Sequence, residues 1–431
     1  MTDTERQNPT DEPELHALKA RYVFPVTSEP IPDGLVTIQG RTIVAVGGGH
    51  RAKHGPPAGH RPKVGRVDDL GNVAIVPGLV NAHTHLEFSD LAEPLGKPGM
   101  RFTAWIREVV RFREFGPHRP RHAVKIGLKE SLACGTTTLG EIAQPNWQAD
   151  PFVSSPLETT VFLELIGPTF DWLLQTRERA EEYLRSASPS GSWRPGLSPH
   201  APYSVHPLLL EAVASLSAVQ RVPIAMHLAE SREELQLLSS GTGPFREILE
   251  NMRCWDPVAF PRGGRPLDCL EALANAHRAL VIHGNYLDDE EIAFLGNRAD
   301  RMAVVYCPRT HAFFAHNDYP LTKLLSSGAT VALGTDSRAS SPDLSVLAEM
   351  RFVARKHPTI GPETVLRLGT INGARALGRD HRLGSLEPGK YADLAVVALP
   401  DREAANPYEL LFDSNLPVVA TWYRGKRNAD R

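Results

Sequence analysis

The sequence predicts an α/β protein built from a (β/α)8 TIM barrel and a small composite β-sandwich domain formed by both chain ends. In the middle of the chain, eight short apolar runs alternate with segments that can form helices, which is the pattern of a parallel barrel. Both ends carry short runs of alternating apolar and polar residues between Gly and Pro, which is typical of antiparallel strands. The 431 residues suffice for a barrel of about 250 residues with additions.

The chain ends divide by their composition. Residues 1–18 are polar and acidic without an apolar period, so we expect a flexible leader. Strand-like runs such as GLVTIQG and RTIVAVGG follow in residues 19–76, with a predicted loop at 49–63, and further runs return in residues 378–431. We expect the ranges 19–76 and 378–431 to pair into the β-sandwich domain.

Residues 77–377 form the predicted barrel domain. Its strand candidates are near-continuous apolar runs, as strands buried on both faces require. They lie at 73–82, 136–143, 159–167, 194–200, 222–228, 278–285, 302–308 and 329–335. A doubly wound sheet would need a glycine-rich phosphate-binding turn after its first strand, and PGLVNAHTH contains none.

Two helices of the barrel have readable starts. Ser341 is predicted to cap the helix of LSVLAEMRFVARK, because Pro342 and Asp343 follow in positions that favour a first turn. Pro362 predicts the first turn of the next helix.

Composition and charge exclude several function classes. Lys and Arg number 47 and Asp and Glu number 50, so the net charge of −3 gives no electrostatic reason to expect nucleic acid or an anionic membrane as partner. The sequence has no apolar run of about 18 residues, no signal-peptide pattern at its start, and four scattered cysteines without a CxxC pair. We therefore expect a cytoplasmic protein that acts on a small molecule, with a homodimer as the candidate assembly.

Five polar side chains come where barrel strands should end. His83 and His85 are two residues apart, so an extended chain points both rings to one face. His227 ends VPIAMH, His283 ends RALVIH, and Asp336 follows ATVALGT. A lone buried histidine is more often a hydrogen-bonded core residue than a ligand, but five such endings favour a metal site, because buried imidazoles and carboxylates are costly without partners.

Imidazole and carboxylate ligands suit one divalent ion, with zinc preferred and iron, manganese or cobalt acceptable. Such an ion lowers the pKa of a bound water and yields a hydroxide nucleophile at neutral pH. Glu230 follows His227 by three residues, where it can move a proton between water and substrate. The alternative for Glu230 is a carboxylate that stabilises the start of the next helix.

A set of motifs resembles the amidohydrolase superfamily, in its deaminase and chlorohydrolase branch. The motifs cover nearly the whole chain from about residue 20: PGLVNAHTH, GTTT, SPHAPYS, HLAE, VIHGN, YCPRT, GTDS and GSLEPGKYADLAVV. The resemblance implies that one metal is held by His83, His85, His227 and Asp336.

The same resemblance implies the roles of the other polar residues. Glu230 would move protons, His283 would orient the hydroxide, and Asp336 would also act as the base that takes its proton. Binuclear relatives carry a bridging carboxylated lysine at the end of strand four. His200 stands at that position, which favours a site with one metal.

The string HTHLEFS is similar to the aminodeoxyfutalosine deaminases, which act on an adenine nucleoside that carries a benzoate. This implies hydrolytic deamination of an aminopurine nucleoside-type substrate, aminodeoxyfutalosine or adenosine-like. A carboxylate could bind ribose hydroxyls, an arginine could bind a substrate carboxylate, and a tryptophan could stack on the base. The predicted substrate contacts are Glu87, Trp105, His200, Arg309 and Arg338.

Two other functions stay open from the sequence. A chlorohydrolase or a cyclic amidase would use the same ligands, because the same nucleophile attacks all these carbons. A catalytically silent barrel that only binds metal would not need Glu230 and His283. Many relatives have Ser-Asn after CPR, whereas Thr310 and His311 follow here, so His311 and the nearby His316 have no assigned role.

Overall fold

The computed structural model describes residues 14–48, 65–117, 119–187 and 193–428. The predicted loop at 49–63 and residues 1–13 of the predicted leader lie outside the described residues. The described strands are, in chain order, β1 (Leu15–Val23), β2 (Ile31–Gln39), β3 (Thr42–Gly48), β4 (Arg66–Asp69), β5 (Val73–Pro77), β6 (Leu79–Thr84), β7 (Thr136–Ala143), β8 (Glu158–Leu165), β9 (Trp193–Pro199), β10 (Pro223–Leu228), β11 (Arg278–His283), β12 (Met302–Tyr306), β13 (Thr330–Leu333), β14 (Leu394–Ala398), β15 (Val418–Tyr423) and β16 (Lys426–Arg427).

Helices follow most of the central strands. They are α1 (Phe102–Phe115), α2 (Pro120–Ala133), α3 (Asp150–Val153), α4 (Phe170–Ser186), α5 (Pro207–Gln220), α6 (Arg232–Ser240), α7 (Pro244–Asn251), α8 (Pro266–Leu273), α9 (Asp289–Gly296), α10 (Pro308–Phe313), α11 (Leu321–Ser326), α12 (Val346–Lys356), α13 (Pro362–Leu368), α14 (Ile371–Ala376) and α15 (Pro407–Phe412). Within the described ranges, none of these helices has the length and apolar character that a membrane span requires.

The eight strands β6 to β13 form a parallel sheet in chain order, and this sheet closes into the predicted barrel. A parallel bridge between Thr84 and Asp336 joins its first and last strands. Beside it, Asn81 Nδ2 donates to Thr335 Oγ1 at 2.7 Å, and the Thr335 N–H donates to Asn81 Oδ1 at 3.1 Å. The (β/α)8 prediction is confirmed, and the barrel closes directly beneath the strand-end residues that the sequence singled out.

The strands from both chain ends form a second sheet, as the sequence predicts, but this sheet is mixed and not antiparallel throughout, because β1 runs parallel to β4 and β5. Its order is β16-β15-β14-β5-β1-β2-β3, with β4 beside β1. The sheet curls, because Thr42 at the start of β3 bridges Tyr391, which lies just before β14. The apolar side chains of both chain ends meet inside it, among them Leu18, Ile75 and Val396. The divisions at 76/77 and 377/378 stay predictions.

Two expectations about the N-terminal region are corrected. The candidate strand 73–82 is two strands, because β5 pairs antiparallel with β14 whereas β6 begins the barrel. The change of sheet falls at Gly78, where a Cβ would collide with the side chain of Thr137. The end of the predicted leader is also different: β1 begins at Leu15, where buried apolar residues alternate with His16 and Lys19, so residues 15–18 belong to the sheet.

One predicted helix start is wrong and the other is confirmed. The N-cap of α12 is Ser345, whose Oγ accepts the N–H of Ala348 at 3.2 Å. Ser341 lies four residues too early, because Asp343 is held outside the helix by an ion pair with Arg309. Pro362 begins α13, as expected.

The closure of the barrel yields a stability prediction. Asn81→Ala leaves the buried N–H of Thr335 without its acceptor, so we expect the free energy of unfolding to fall by roughly 2 kcal/mol. Asn372→Ala is the control, because Asn372 makes a single half-buried bond to the Val331 carbonyl. The urea midpoints of both variants give the measurement. A loss for Asn81→Ala no larger than that for Asn372→Ala would contradict this role.

Candidate metal centre and active site

Three buried histidine rings converge at the C-terminal end of the barrel. His83, His85 and His227 each offer a ring nitrogen, and these atoms all lie within 4.8 Å of one another. Nε2 of His85 is 3.3 Å from Nε2 of His227. The Nδ1 of His227 lies 3.0 Å from the backbone carbonyl of His200, so the ring donates there and its Nε2 lone pair faces the cluster.

The direction of His83 depends on an irregularity in its strand. Val80 and Ala82 pack inside the barrel, so plain alternation would turn His83 outward. The pairing of β6 with β7 shifts register between Asn81 and Thr84. Such a shift redirects side chains and is common beside active sites. The bulge therefore brings the histidine pair to the end of the barrel interior.

Left-handed backbone conformations change the direction of two further side chains of the site, those of His283 and Asp336. Leu280 and Ile282 pack inside the barrel, so His283 would face outward in a regular strand. His283 instead has a φ of +67°, and Asp336 has a φ of +54°. A positive φ costs free energy in residues other than glycine, and such residues concentrate at functional sites.

Two carboxylates complete the closed end of the site. Oδ1 of Asp336 lies 3.7 Å from Nε2 of His83 and 3.8 Å from Nε2 of His85. Oε1 of Glu230 lies 3.3 Å from Nε2 of His283. The five strand-end residues of the sequence prediction and Glu230 are thus brought together, and all of them are buried.

The site fits a divalent cation by its own chemistry. Nδ1 and Nε2 of His83 are buried and have no hydrogen-bond partner among the described residues. Burial and the neighbouring rings hold the pKa of His85 and His227 well below the usual range, which keeps both imidazoles neutral as ligands must be. Burial alone would raise the pKa of Asp336, but His83 and His283 lower it, so this carboxylate stays ionised.

A second buried carboxylate holds the loop that carries Glu230. Glu234 Oε1 accepts the N–H of Ala229 at 2.7 Å, and its Oε2 accepts the N–H of Glu230 at 3.0 Å. Ala229 has a φ of +53°, and Asn285 Nδ2 donates to the Glu230 carbonyl at 3.0 Å. Burial raises the pKa of Glu234 to about 7. These bonds set the direction of Glu230 through its backbone.

A cavity of about 240 Å³ opens above these polar groups. Its wall comes mainly from α1, α7 and the turn at Pro202–Ser204, and it is mostly apolar. Phe88, Trp105, Val109, Tyr203, Phe245 and Leu249 belong to it. A mostly apolar lining with a few converging polar groups is typical of a small-molecule site.

The predicted substrate contacts divide into two groups. Trp105 and His200 line the cavity, whereas Glu87, Arg309 and Arg338 are not among its described lining residues, so substrate contact by these three stays a prediction. Glu87 binds Arg113, Arg309 binds Asp343 and Glu349, and Arg338 binds Glu130. Arg309 and Arg338 therefore already have carboxylate partners in the protein.

Sequence reasoning missed two charged residues of the wall, Arg113 and Glu164. Arg113 lies on the same face of α1 as Trp105 and Val109, at spacings of four residues, so the helical period could have found it. Glu164 is the penultimate residue of β8, which is the same strand-end signal that found His227. Gln144 Nε2 donates to Glu164 Oε2 at 2.6 Å.

Comparison with known proteins identifies the class to which this fold and site belong. A sequence model described as the amidohydrolase family matches residues 74–427. The chain belongs to this family, and the predicted superfamily is confirmed.

Individual proteins within this family are similar to the chain over most of its length. The chain is 29% identical over 418 residues to a 5-methylthioadenosine/S-adenosylhomocysteine deaminase of Moorella thermoacetica, covering 94% of this chain and 90% of that protein. It is 28% identical to an aminodeoxyfutalosine deaminase of Deinococcus radiodurans, covering 80% and 82%. A solved adenosine deaminase of Xanthomonas campestris with bound zinc superposes with a TM-score of 0.80 at 26% identity, covering 97% of this chain and 93% of that one.

The first prediction from this geometry concerns metal content. His227→Ala removes a central nitrogen ligand, so we expect the purified variant to hold less than a tenth of the divalent metal of the parent protein, by elemental analysis. His277→Ala replaces an exposed histidine outside the site and should keep full content. Full metal content in His227→Ala would contradict the assignment.

The second prediction concerns the loop under Glu230. In Glu234→Gln only one oxygen remains to accept the two N–H groups, so Glu230 should shift, and kcat should fall roughly tenfold to hundredfold with little change in KM or metal content. Glu291→Gln is the matched control, because Glu291 is also buried and caps α9 away from the cavity. Equal losses in both variants would mean that Glu234 has only a general structural role.

Proposed function

We propose that this protein is a metal-dependent aminohydrolase that removes the exocyclic amine of an aminopurine nucleoside-type substrate, adenosine-like or aminodeoxyfutalosine-like. The observation that carries the proposal is the position of Glu230, 3.3 Å from His283 and beside the histidine cluster at the closed end of the cavity. Membership of the amidohydrolase family supports the same reaction, and so do the names of the two relatives reported above, a 5-methylthioadenosine/S-adenosylhomocysteine deaminase and an aminodeoxyfutalosine deaminase.

We assign one metal to four ligands, and zinc is the ion that we expect, as in the related adenosine deaminase. The assigned ligands are His83, His85, His227 and Asp336. A divalent ion bound there lowers the pKa of a water and so supplies a nucleophile at neutral pH.

The residues around these ligands would move the protons. Deamination requires a proton on the ring nitrogen next to the carbon that carries the amine. Burial and the charge of Asp336 raise the pKa of Glu230 well above its usual range, so its carboxyl can deliver that proton near neutral pH. Asp336 accepts one proton of the attacking water and returns it to the amine, which leaves as ammonia. The remaining hydroxyl proton passes to Glu230, which regains its carboxyl proton as the ring carbon becomes a carbonyl.

His283 and the wall would orient the reactants. Burial lowers the pKa of His283 well below its usual range, so the ring is neutral and one of its nitrogens can donate a hydrogen bond to the attacking oxygen. Trp105 and His200 are the predicted substrate contacts that line the cavity. The cytoplasmic location and the homodimer stay predictions.

A substrate panel tests the reaction class. We expect release of ammonia from adenine nucleosides, without release of chloride from chlorotriazines and without ring opening of cyclic ureides. Chloride release or ring opening as the main activity would replace the proposal with a chlorohydrolase or cyclic amidase. A protein that holds its metal and acts on no panel member would be a silent barrel.

Replacement of Glu230 tests the mechanism. In Glu230→Gln the carboxyl that carries the proton is lost, so kcat should fall by at least about a thousandfold with metal content unchanged. Glu233→Gln, on the outer part of α6, should keep the parent activity. Near-normal turnover by Glu230→Gln would contradict the assignment of Glu230 as the proton carrier.

A further inference from the structure

Two buried hydroxyl groups form a chain of hydrogen bonds that ends on the carboxylate of Asp336. Ser340 Oγ lies 3.0 Å from Asp336 Oδ2, and Thr310 Oγ1 lies 2.9 Å from Ser340 Oγ. Only 2% of Thr310 and 1% of Ser340 is exposed. Neither residue is among the described lining residues of the cavity, although Asp336 is. The two hydroxyls therefore touch the carboxylate and not the space above it.

The direction of these hydrogen bonds follows from the number of protons. A carboxylate that binds metal carries no proton, so the hydroxyl of Ser340 is the donor to Asp336. Its distance to the Ser337 carbonyl is longer, at 3.5 Å. A serine hydroxyl has a single proton, which the bond to Asp336 uses, so the hydroxyl of Thr310 donates to Ser340. Both O–H groups then point toward the carboxylate, and hydrogen bonds in such a chain strengthen one another.

The hydroxyl chain occupies one oxygen of Asp336 and leaves the other for the metal site. Oδ1 lies 3.7 Å from Nε2 of His83 and 3.8 Å from Nε2 of His85, whereas Oδ2 accepts the bond from Ser340. A hydrogen bond at Oδ2 restricts rotation of the carboxylate about its Cβ–Cγ bond. It therefore keeps Oδ1 directed at the histidines.

The two segments that carry the hydroxyls are joined to each other by buried charges. Thr310 lies on α10, and Ser340 lies in the loop between β13 and α12. Arg309, next to Thr310, binds Asp343 of that loop at 2.7 Å. Glu349 accepts the backbone N–H of Arg309 at 3.0 Å and its Nε–H at 2.6 Å. These bonds hold the two hydroxyls within hydrogen-bonding distance of each other.

We propose that Ser340 and Thr310 are positioning residues, which fix the carboxylate of Asp336 in the orientation that binds the metal and takes a proton from the attacking water. This inference rests on the proposed function, where Asp336 receives both roles. Loss of a residue that orients a metal ligand typically lowers metal affinity or activity about tenfold to hundredfold. Because neither hydroxyl belongs to the described cavity wall, we expect effects on metal retention and kcat and little effect on KM.

Ser340→Ala removes the bond to Oδ2. We expect the metal-loaded variant to lose its metal to a chelator at least about tenfold faster than the parent protein, and its kcat for adenosine to fall about tenfold with KM within about twofold. Ser341→Ala is the matched control, because Ser341 is equally buried but its Oγ donates to the Asp343 carbonyl. Parent-like metal loss and kcat in Ser340→Ala would overturn the proposal, and so would equal changes in Ser341→Ala.

A pair of variants at Thr310 tests the second hydroxyl. Thr310→Val replaces the hydroxyl with a methyl group of similar size, so the bond from Ser340 to Asp336 weakens, and we expect metal loss about threefold faster and kcat about threefold lower. Thr310→Ser keeps the hydroxyl and should keep the parent values. Equal values in the two variants would contradict the role of Thr310. The chelator assay needs no substrate, so a metal-loaded parent protein that deaminates no adenine nucleoside defeats the proposed function, whereas the chelator assay still decides whether the hydroxyls orient Asp336.

Discussion

The rest of this structure depends on one constraint, which is the burial of imidazole rings that cannot supply all of one another's hydrogen bonds. His83, His85 and His227 meet within 4.8 Å, and both nitrogens of His83 lack a partner among the described residues. Such an arrangement is costly unless a cation compensates for it. The histidine cluster also requires backbone conformations that cost free energy. These are a shifted register in β6 and positive φ angles at His283 and Asp336. Strain of this kind persists where function requires it.

The cavity above the histidines has two kinds of surface, a polar closed end and an apolar wall. Polar groups that can bind metal and move protons come from the ends of barrel strands, which are rigid. The apolar wall comes mainly from α1, α7 and the turn at Pro202–Ser204, which lie outside the strands of the barrel. The polar end and the apolar wall of the cavity are therefore formed by different parts of the chain, as is typical of barrel enzymes.

Much of the fold and of the polar site could be predicted, because short stretches of sequence carry the signal for both. These stretches are apolar runs that form strands and polar residues that follow them. Seven of the eight barrel strands lie within a few residues of the predicted apolar runs. His227 and Asp336 were found because a polar residue after such a run falls at the active end of a barrel. The first strand was misjudged, because a single apolar run from Val73 onward does not reveal that the chain changes sheets at Gly78.

The sequence alone determined which residue types stand at the strand ends, and through them the class of chemistry. The tertiary structure decided which way those residues point and which charges remain free. His283 faces the site because of one backbone angle, which no local pattern encodes. The guanidinium of Arg309 is bound by the carboxylate of Glu349, which lies 40 residues away in the chain. Side-chain direction depends on φ and pairing register, and the freedom of a charge depends on partners that only folding brings near.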